Sequence, residues 1–179
     1  MILSMFRKKR DQAPISATYA SIVAQSRHPV FYADWGVPDT VTGRFDMISL
    51  HLALVFRRLR SQSPAADLFA QELLDLFFSD MDRSLRSMGV GDLSVGKKVR
   101  RMSEVFFGLL ASLDGAMEQN FGSALEEVLT RNIYAENGEI DPGPLAAYLR
   151  ASARRLSNQP TSEIIAGFLA LEPLPGAMP

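Results

Sequence analysis

With 179 residues, 47% of them apolar, and a mean hydropathy of +0.03, the chain is long enough to bury one sizeable core and too apolar for wholesale disorder. The lack of cysteine excludes a disulfide framework, a thiolate metal site and a thiol nucleophile, and two histidines leave little for a histidine-rich metal cluster. A net charge of −1 hides an asymmetry: residues 1–60 hold nine Lys/Arg and four Asp/Glu (+5), residues 61–179 ten and sixteen (−6). A basic N-terminal part on an acidic body allows weak contact with an anionic membrane surface or RNA, although solvated helix faces account for most such splits. Nothing in it points to DNA.

Residues 1–13 form a tail in which apolar residues precede Arg7, Lys8, Lys9 and Arg10. A secretory signal has the reverse order and a longer apolar run, so this segment reads as a basic tail with at most a weak pull toward an anionic leaflet. Pro14 suits a first helical turn, and Ile15, Tyr19, Ile22 and Val23 fall on one face before His28-Pro29 stops the helix. Phe31, Tyr32 and Trp35 follow in a loop ending at Val37-Pro38-Asp39-Thr40, where aromatic rings more often pack down than wait for a partner.

Arg44 is the expected start of the central helix. Between Met47 and Phe56 apolar residues cover nearly every face, which marks a helix buried all round. The run is far short of the ~20 apolar residues that cross a bilayer. Arg57, Arg58 and Arg60 at its far end complement the helix dipole. Ser63-Pro64 caps a long amphipathic helix carrying Leu68, Phe69, Leu73, Leu76, Phe77, Met81, Leu85 and Met88, which ends at Gly89.

Asp92 or Ser94 is expected to cap the next helix, running to about Gln119, with Gly108 and Gly115 either loosening it or admitting a close neighbour. Shorter helices follow over 123–134, 144–156 and 161–170, with turns at Asn137-Gly138 and Asp141-Pro142-Gly143-Pro144. Residues 172–179 read as a flexible tail. The pattern predicts an all-α, single-domain bundle of about seven helices over residues 14–171, with an irregular N-terminal loop.

Gly91 to Lys98, GDLSVGKK, comes near the phosphate-binding loop G-x-x-x-x-G-K-[ST], but Lys98 stands where a magnesium-binding hydroxyl is needed and no strand precedes it. A helix-to-helix turn is the better reading, with Gly89 and Gly91 in backbone angles closed to other residues. Asp80 and Asp82 are two apart and diverge around a helix, so they make no catalytic pair. His51 has neither Asp46 nor Ser49 at the spacing that would face it, and a hydrogen-bonded core histidine is the favoured reading. Nucleophile, base and oxyanion donor occur nowhere together, so an enzyme is disfavoured and no cofactor is implied.

Three ordered blocks carry more information. They are Pro38-Asp39-Thr40 through Gly43-Arg44-Phe45-Asp46 with Leu50-His51-Leu52, then Asp80 to Arg86, then Met88 to Lys97. Over roughly residues 25–135 the chain resembles the ubiquinol-cytochrome c chaperone family, the assembly factors of the cytochrome bc1 complex. It departs from the family pattern at Ser87, where an acid is usual, and at Phe107 and Leu109, where tyrosine and arginine are common. The resemblance implies an all-helical, non-catalytic protein that binds newly made cytochrome b and holds it for haem insertion. It also implies a cytoplasmic place, peripheral at the inner face of the inner membrane (the matrix in mitochondria), and, in mitochondria, a small helper subunit and proximity to the ribosome exit.

On that basis the loop 35–46 and the turn 86–97 are expected to form one partner-facing surface. Asp39, Thr40, Arg44, Arg86, Asp92 and Lys97 would fix register there, and Trp35 with Phe45 would add apolar contact. The same residues are equally able to staple the two segments locally through caps and ion pairs. A membrane-surface or ribosome-associated adaptor without a chaperone client is the competing function.

Overall fold

The computed structural model describes residues 12–119, 122–135 and 139–175. All regular structure among them is helical: α1 (Ala13–Ser26), α2 (Pro29–Ala33), α3 (Val41–Leu59), α4 (Pro64–Ser87), α5 (Asp92–Glu118), α6 (Ala124–Asn132), α7 (Gly143–Asn158) and α8 (Thr161–Ile165). The basic segment 1–11 and the turn at Asn137-Gly138 lie outside the described residues.

The bundle is built around α3, which packs against α1, α4, α5 and α7. Every residue from Phe45 to Val55 is buried, polar ones included. Burial on all sides obliges the polar side chains to find partners within the helix layer. Ser49 Oγ donates to the Phe45 carbonyl at 2.9 Å. His51 Nδ1–H donates to the Met47 carbonyl at 2.7 Å, leaving Nε2 to accept from the Tyr148 hydroxyl at 2.8 Å. The histidine is therefore a hydrogen-bonded core residue, as its setting on an apolar helix indicates, and burial lowers its pKa to about 4.

Between α3, α4 and α5 the core is aromatic. Phe45 stacks on Phe77 at 5.6 Å between ring centroids, and Phe77 and Phe106 meet at 5.5 Å. Tyr19 of α1 donates to Asp80 of α4 at 2.9 Å, and burial together with this carboxylate raises the phenol pKa. Ser63 caps α4 by accepting from the Ala66 N–H, and Gly89 takes a φ of +81° just past its end, both as the sequence indicates.

The structure departs from the sequence pattern at several ends. Phe31 and Tyr32 sit in a short helix, α2, rather than a loop, because His28 Nδ1 accepts from the Val30 N–H and Pro29 takes the first turn. It makes eight helices among the described residues. Helix α3 begins at Val41, not Arg44, since Thr40 Oγ1 accepts from the Gly43 N–H. Gly91, not Asp92 or Ser94, holds the cap position of α5 and makes no side-chain cap bond. Its φ of −63° is open to any residue, so only Gly89 of that pair needs to be glycine.

Gly108 and Gly115 admit no neighbour either, because a Cβ on them would meet nothing within 4 Å. Helix α8 stops at Ile165, where Gly167 turns the chain with a φ of +99°. The tail is not loose from residue 172. The Glu172 N–H donates to Ser152 Oγ at 3.1 Å, its carbonyl accepts from Gln25 Nε2 at 3.0 Å, and Leu174 is buried. Docking of an apolar side chain, with both backbone groups of Glu172 satisfied, extends the packed body to residue 175.

Candidate functional site

The start of α3 is set by a tight backbone approach. The Pro38 carbonyl lies so close to Gly43 that a Cβ there would stand 2.0 Å from it, so the Thr40 cap requires glycine three residues later. This places Asp39 and Arg44 side by side, Arg44 Nε donating to Asp39 Oδ1 at 2.7 Å, both more than half exposed. The guanidinium holds the Asp39 carboxyl below its usual range and lies 6.0 Å over the Tyr32 ring.

Across the molecule's surface the α4–α5 corner has a parallel arrangement. Arg86 Nε donates to Asp82 at 2.7 Å within α4, and another of its nitrogens pairs with Asp92 on the first turn of α5. Its pKa is raised chiefly by Asp82. Lys97 stands exposed on the following turn. Gly91 to Lys98 is thus a corner and a helix, with none of the loop that would cradle a phosphate.

A groove of about 280 Å³ lies between the first turns of α3, the end of α4 and the first half of α5. Val41, Thr42, Phe45 and Asp46 from α3, Leu85 from α4, and Lys98, Arg101, Met102 and Val105 from α5 line it. Its surface is almost wholly apolar, and Val41 and Val105 remain 60% and 43% exposed at its edges. Asp46 belongs to the floor at 7% exposure. Among the described residues no hydrogen bond or counter-ion reaches its carboxyl, and desolvation alone raises its pKa to about 7.

Of the residues expected on the partner surface, only Phe45 lines this groove; Asp39 and Arg44 line a separate concavity with Arg27, Pro29 and Tyr32, and Arg86 and Asp92 pair at the α4–α5 corner. Trp35 is not with them. It packs half-buried on Phe31 at 5.3 Å and on Tyr148 at 5.9 Å, and its carbonyl accepts from the Tyr134 hydroxyl. Phe45 is likewise a core ring, 6% exposed.

The sequence alone assigns Asp46 no role beyond that of a neighbour of His51 at the wrong spacing, and nothing in it singles out this groove. The nearest signal is the width of α5's apolar stripe. The buried row Val95, Phe106, Leu109 and Leu113 already covers the core contact, and Val105 lies beside it.

A further concavity between α3, α5 and α7 is cationic, with Arg57, Arg150 and Arg154. Arg57 pairs with Asp114 at 3.3 Å and Arg150 with Glu126 at 2.7 Å, so most of that charge is satisfied within the fold. Among the described residues no cluster of His, Asp and Glu could hold a metal ion, and no helix is long and apolar enough to cross a membrane.

Residues 33–171 match the family described as ubiquinol-cytochrome C chaperone. The chain belongs to this family. The match runs on past residue 135, where the recognisable motifs end, through α7 and α8 to residue 171. The crystal structure of the Cbp3 homolog from Brucella abortus superposes on this family member with a TM-score of 0.84 at 35% identity, over 97% of each chain. The ubiquinol-cytochrome-c reductase complex assembly factor 1 of Xenopus laevis is 20% identical over 96 residues, 54% of this chain and 48% of that protein. The chain thus spans about half the length of the curated relative it matches.

Proposed function

We propose that this chain is an assembly chaperone of the cytochrome bc1 complex that holds newly made cytochrome b, peripheral at the inner face of the membrane, and transforms no substrate. Membership of the ubiquinol-cytochrome C chaperone family carries this reading, supported by the similarity to an assembly factor of the same respiratory complex. The geometry supports holding over chemistry. The buried His51 is engaged by Met47, Ser26 and Tyr148, and the surface instead offers an apolar groove between α3, α4 and α5.

The partner-facing surface in this proposal joins Asp39, Thr40 and Arg44 at the start of α3 with Arg86, Asp92 and Lys97 at the α4–α5 corner. Phe45 backs it from below, and Trp35 shapes the base of the loop. Local ion pairs and partner contact are compatible, because Arg44 and Arg86 are each about half exposed and keep donors free of their intramolecular pairs.

The test is a deletion strain together with capture from membranes of cells making cytochrome b. Loss of the bc1 haem signal on deletion, with cytochrome b recovered on the tagged chain, is expected. Normal bc1 assembly without the gene would overturn the proposal. An Arg44→Ala/Arg86→Ala protein that melts like wild type and captures cytochrome b equally well would displace the surface but not the function.

A further inference from the structure

Resting on the client-holding reading, the geometry points to Asp46 as the anchor for a basic side chain on an apolar client segment seated in the groove between α3, α4 and α5. Three features of the groove converge on it. Asp46 is 7% exposed as a residue and its carboxyl has no counter-ion among the described residues, an arrangement that costs stability and that no contact among them offsets. The walls above it, Val41, Phe45, Leu85, Met102 and Val105, are apolar, so a hydrated small cation would lose water there without gaining other oxygen ligands. No metal-binding group of His, Asp and Glu lies among the described residues.

The composition that complements such a groove is an apolar stretch ending in one Lys or Arg. The inner-side ends of membrane helices have that composition, because basic residues concentrate where a helix leaves the bilayer on the cytoplasmic side. The basic side chain supplies the charge that Asp46 lacks, and the adjoining apolar residues fill a volume of about 280 Å³, enough for a few side chains. Lys98 and Arg101 also line the groove and form no ion pair with Asp46. Their long stems extend the apolar wall while the charged ends stay in water, where they suit the free carbonyls at a helix C-terminus.

The experiment uses the full chain and two labelled apolar peptides identical except for one terminal Lys or Gln, with binding read by fluorescence anisotropy in mild detergent. Wild type is expected to bind the Lys peptide about tenfold more tightly. Asp46→Asn should lose that preference while melting no lower than wild type, Asp46→Glu should retain it, and Val105→Glu should weaken both peptides. Equal binding of the two peptides by wild type, or an undiminished preference in Asp46→Asn, would overturn the assignment. A preference that emerges only in Lys98→Gln would make Lys98 the partner of Asp46 in solution and overturn it equally. Should Asp46→Asn fail to fold, the wild-type comparison decides. Assembly of the bc1 complex in cells tests the client-holding reading separately, so the anchor can fail while that reading stands.

Discussion

The His51 imidazole meets the Tyr148 hydroxyl at 2.8 Å, a buried bond that joins the central helix to α7. With Nδ1–H committed to the Met47 carbonyl, Nε2 is an acceptor whose donor is Tyr148. Tyr148→Phe removes that donor and leaves a fully buried acceptor unpaired, which costs about 1–3 kcal/mol. A lower midpoint in urea unfolding at neutral pH, with native helicity retained, is expected; an unchanged midpoint would contradict the assigned bond.

Two buried groups set opposing pH dependences. His51 has a folded pKa of about 4, below its ordinary 6.5, so the native state binds fewer protons than the unfolded chain between those values. Its contribution is present above 6.5 and is lost as pH falls toward 4, with a slope of up to about 1.4 kcal/mol per pH unit. Asp46 runs the other way, because its pKa rises from 3.8 to about 7. Its contribution is present below 3.8 and is lost as pH rises through 7, with the same limiting slope. The two nearly cancel from about pH 4 to about 6.5. Asp46→Asn should therefore expose a steep rise in stability with pH across that window and be more stable than wild type near pH 8. Urea midpoints across the range check both, and a variant with an unchanged pH profile would show that Asp46 is solvated or paired in solution.

The sequence made the bundle legible because its strongest signals are physical ones that tertiary context does not override. An all-round apolar run at Met47 to Phe56 has no stable place except the centre, and the Ser63-Pro64 start and Gly89 stop of α4 follow from capping alone. What stayed hidden depends on contacts between distant segments. Trp35 belongs with Phe31 and Tyr148, a residue of α7 that local pattern cannot bring to it. Glu172 bonds to Gln25 of α1 and Ser152 of α7 and Leu174 is buried, so residues 172–174, which look like the start of a loose tail, are held against the bundle. The groove was illegible for the same reason: Asp46 is unremarkable until Leu85, Met102 and Val105 close around it.

Glycine substitutions separate positions that the sequence presents alike. Gly43→Ala drives a Cβ into the Pro38 carbonyl and should destabilise by about 3 kcal/mol, displacing the Thr40 cap and the Asp39–Arg44 pair with it. Gly108→Ala, on an open face of α5, should stabilise by about 0.5–1 kcal/mol through helix propensity. Thermal melts of the two single variants moving in opposite directions are expected. A destabilised Gly108→Ala protein would mean that another surface approaches α5 there.

Arg58 serves a helix other than its own. Although the arginines at the end of α3 lie where cations complement that helix's dipole, Arg58 Nε and one terminal nitrogen donate to the Leu156 and Gln159 carbonyls, each at 2.7 Å, and so close the C-terminus of α7. Gln159 in turn accepts from the Ala170 N–H, tying the same corner to the C-terminal segment. Two bonds from one planar cation need a fork that lysine does not have, so Arg58→Lys should lose about 1–2 kcal/mol despite keeping the charge. Hydrogen exchange provides the sharper readout: amides in the last turn of α7 and around Ala170 should exchange faster in the variant, while those of α4 stay protected. Uniformly faster exchange across the bundle would instead mean that Arg58 supports global stability and not this corner.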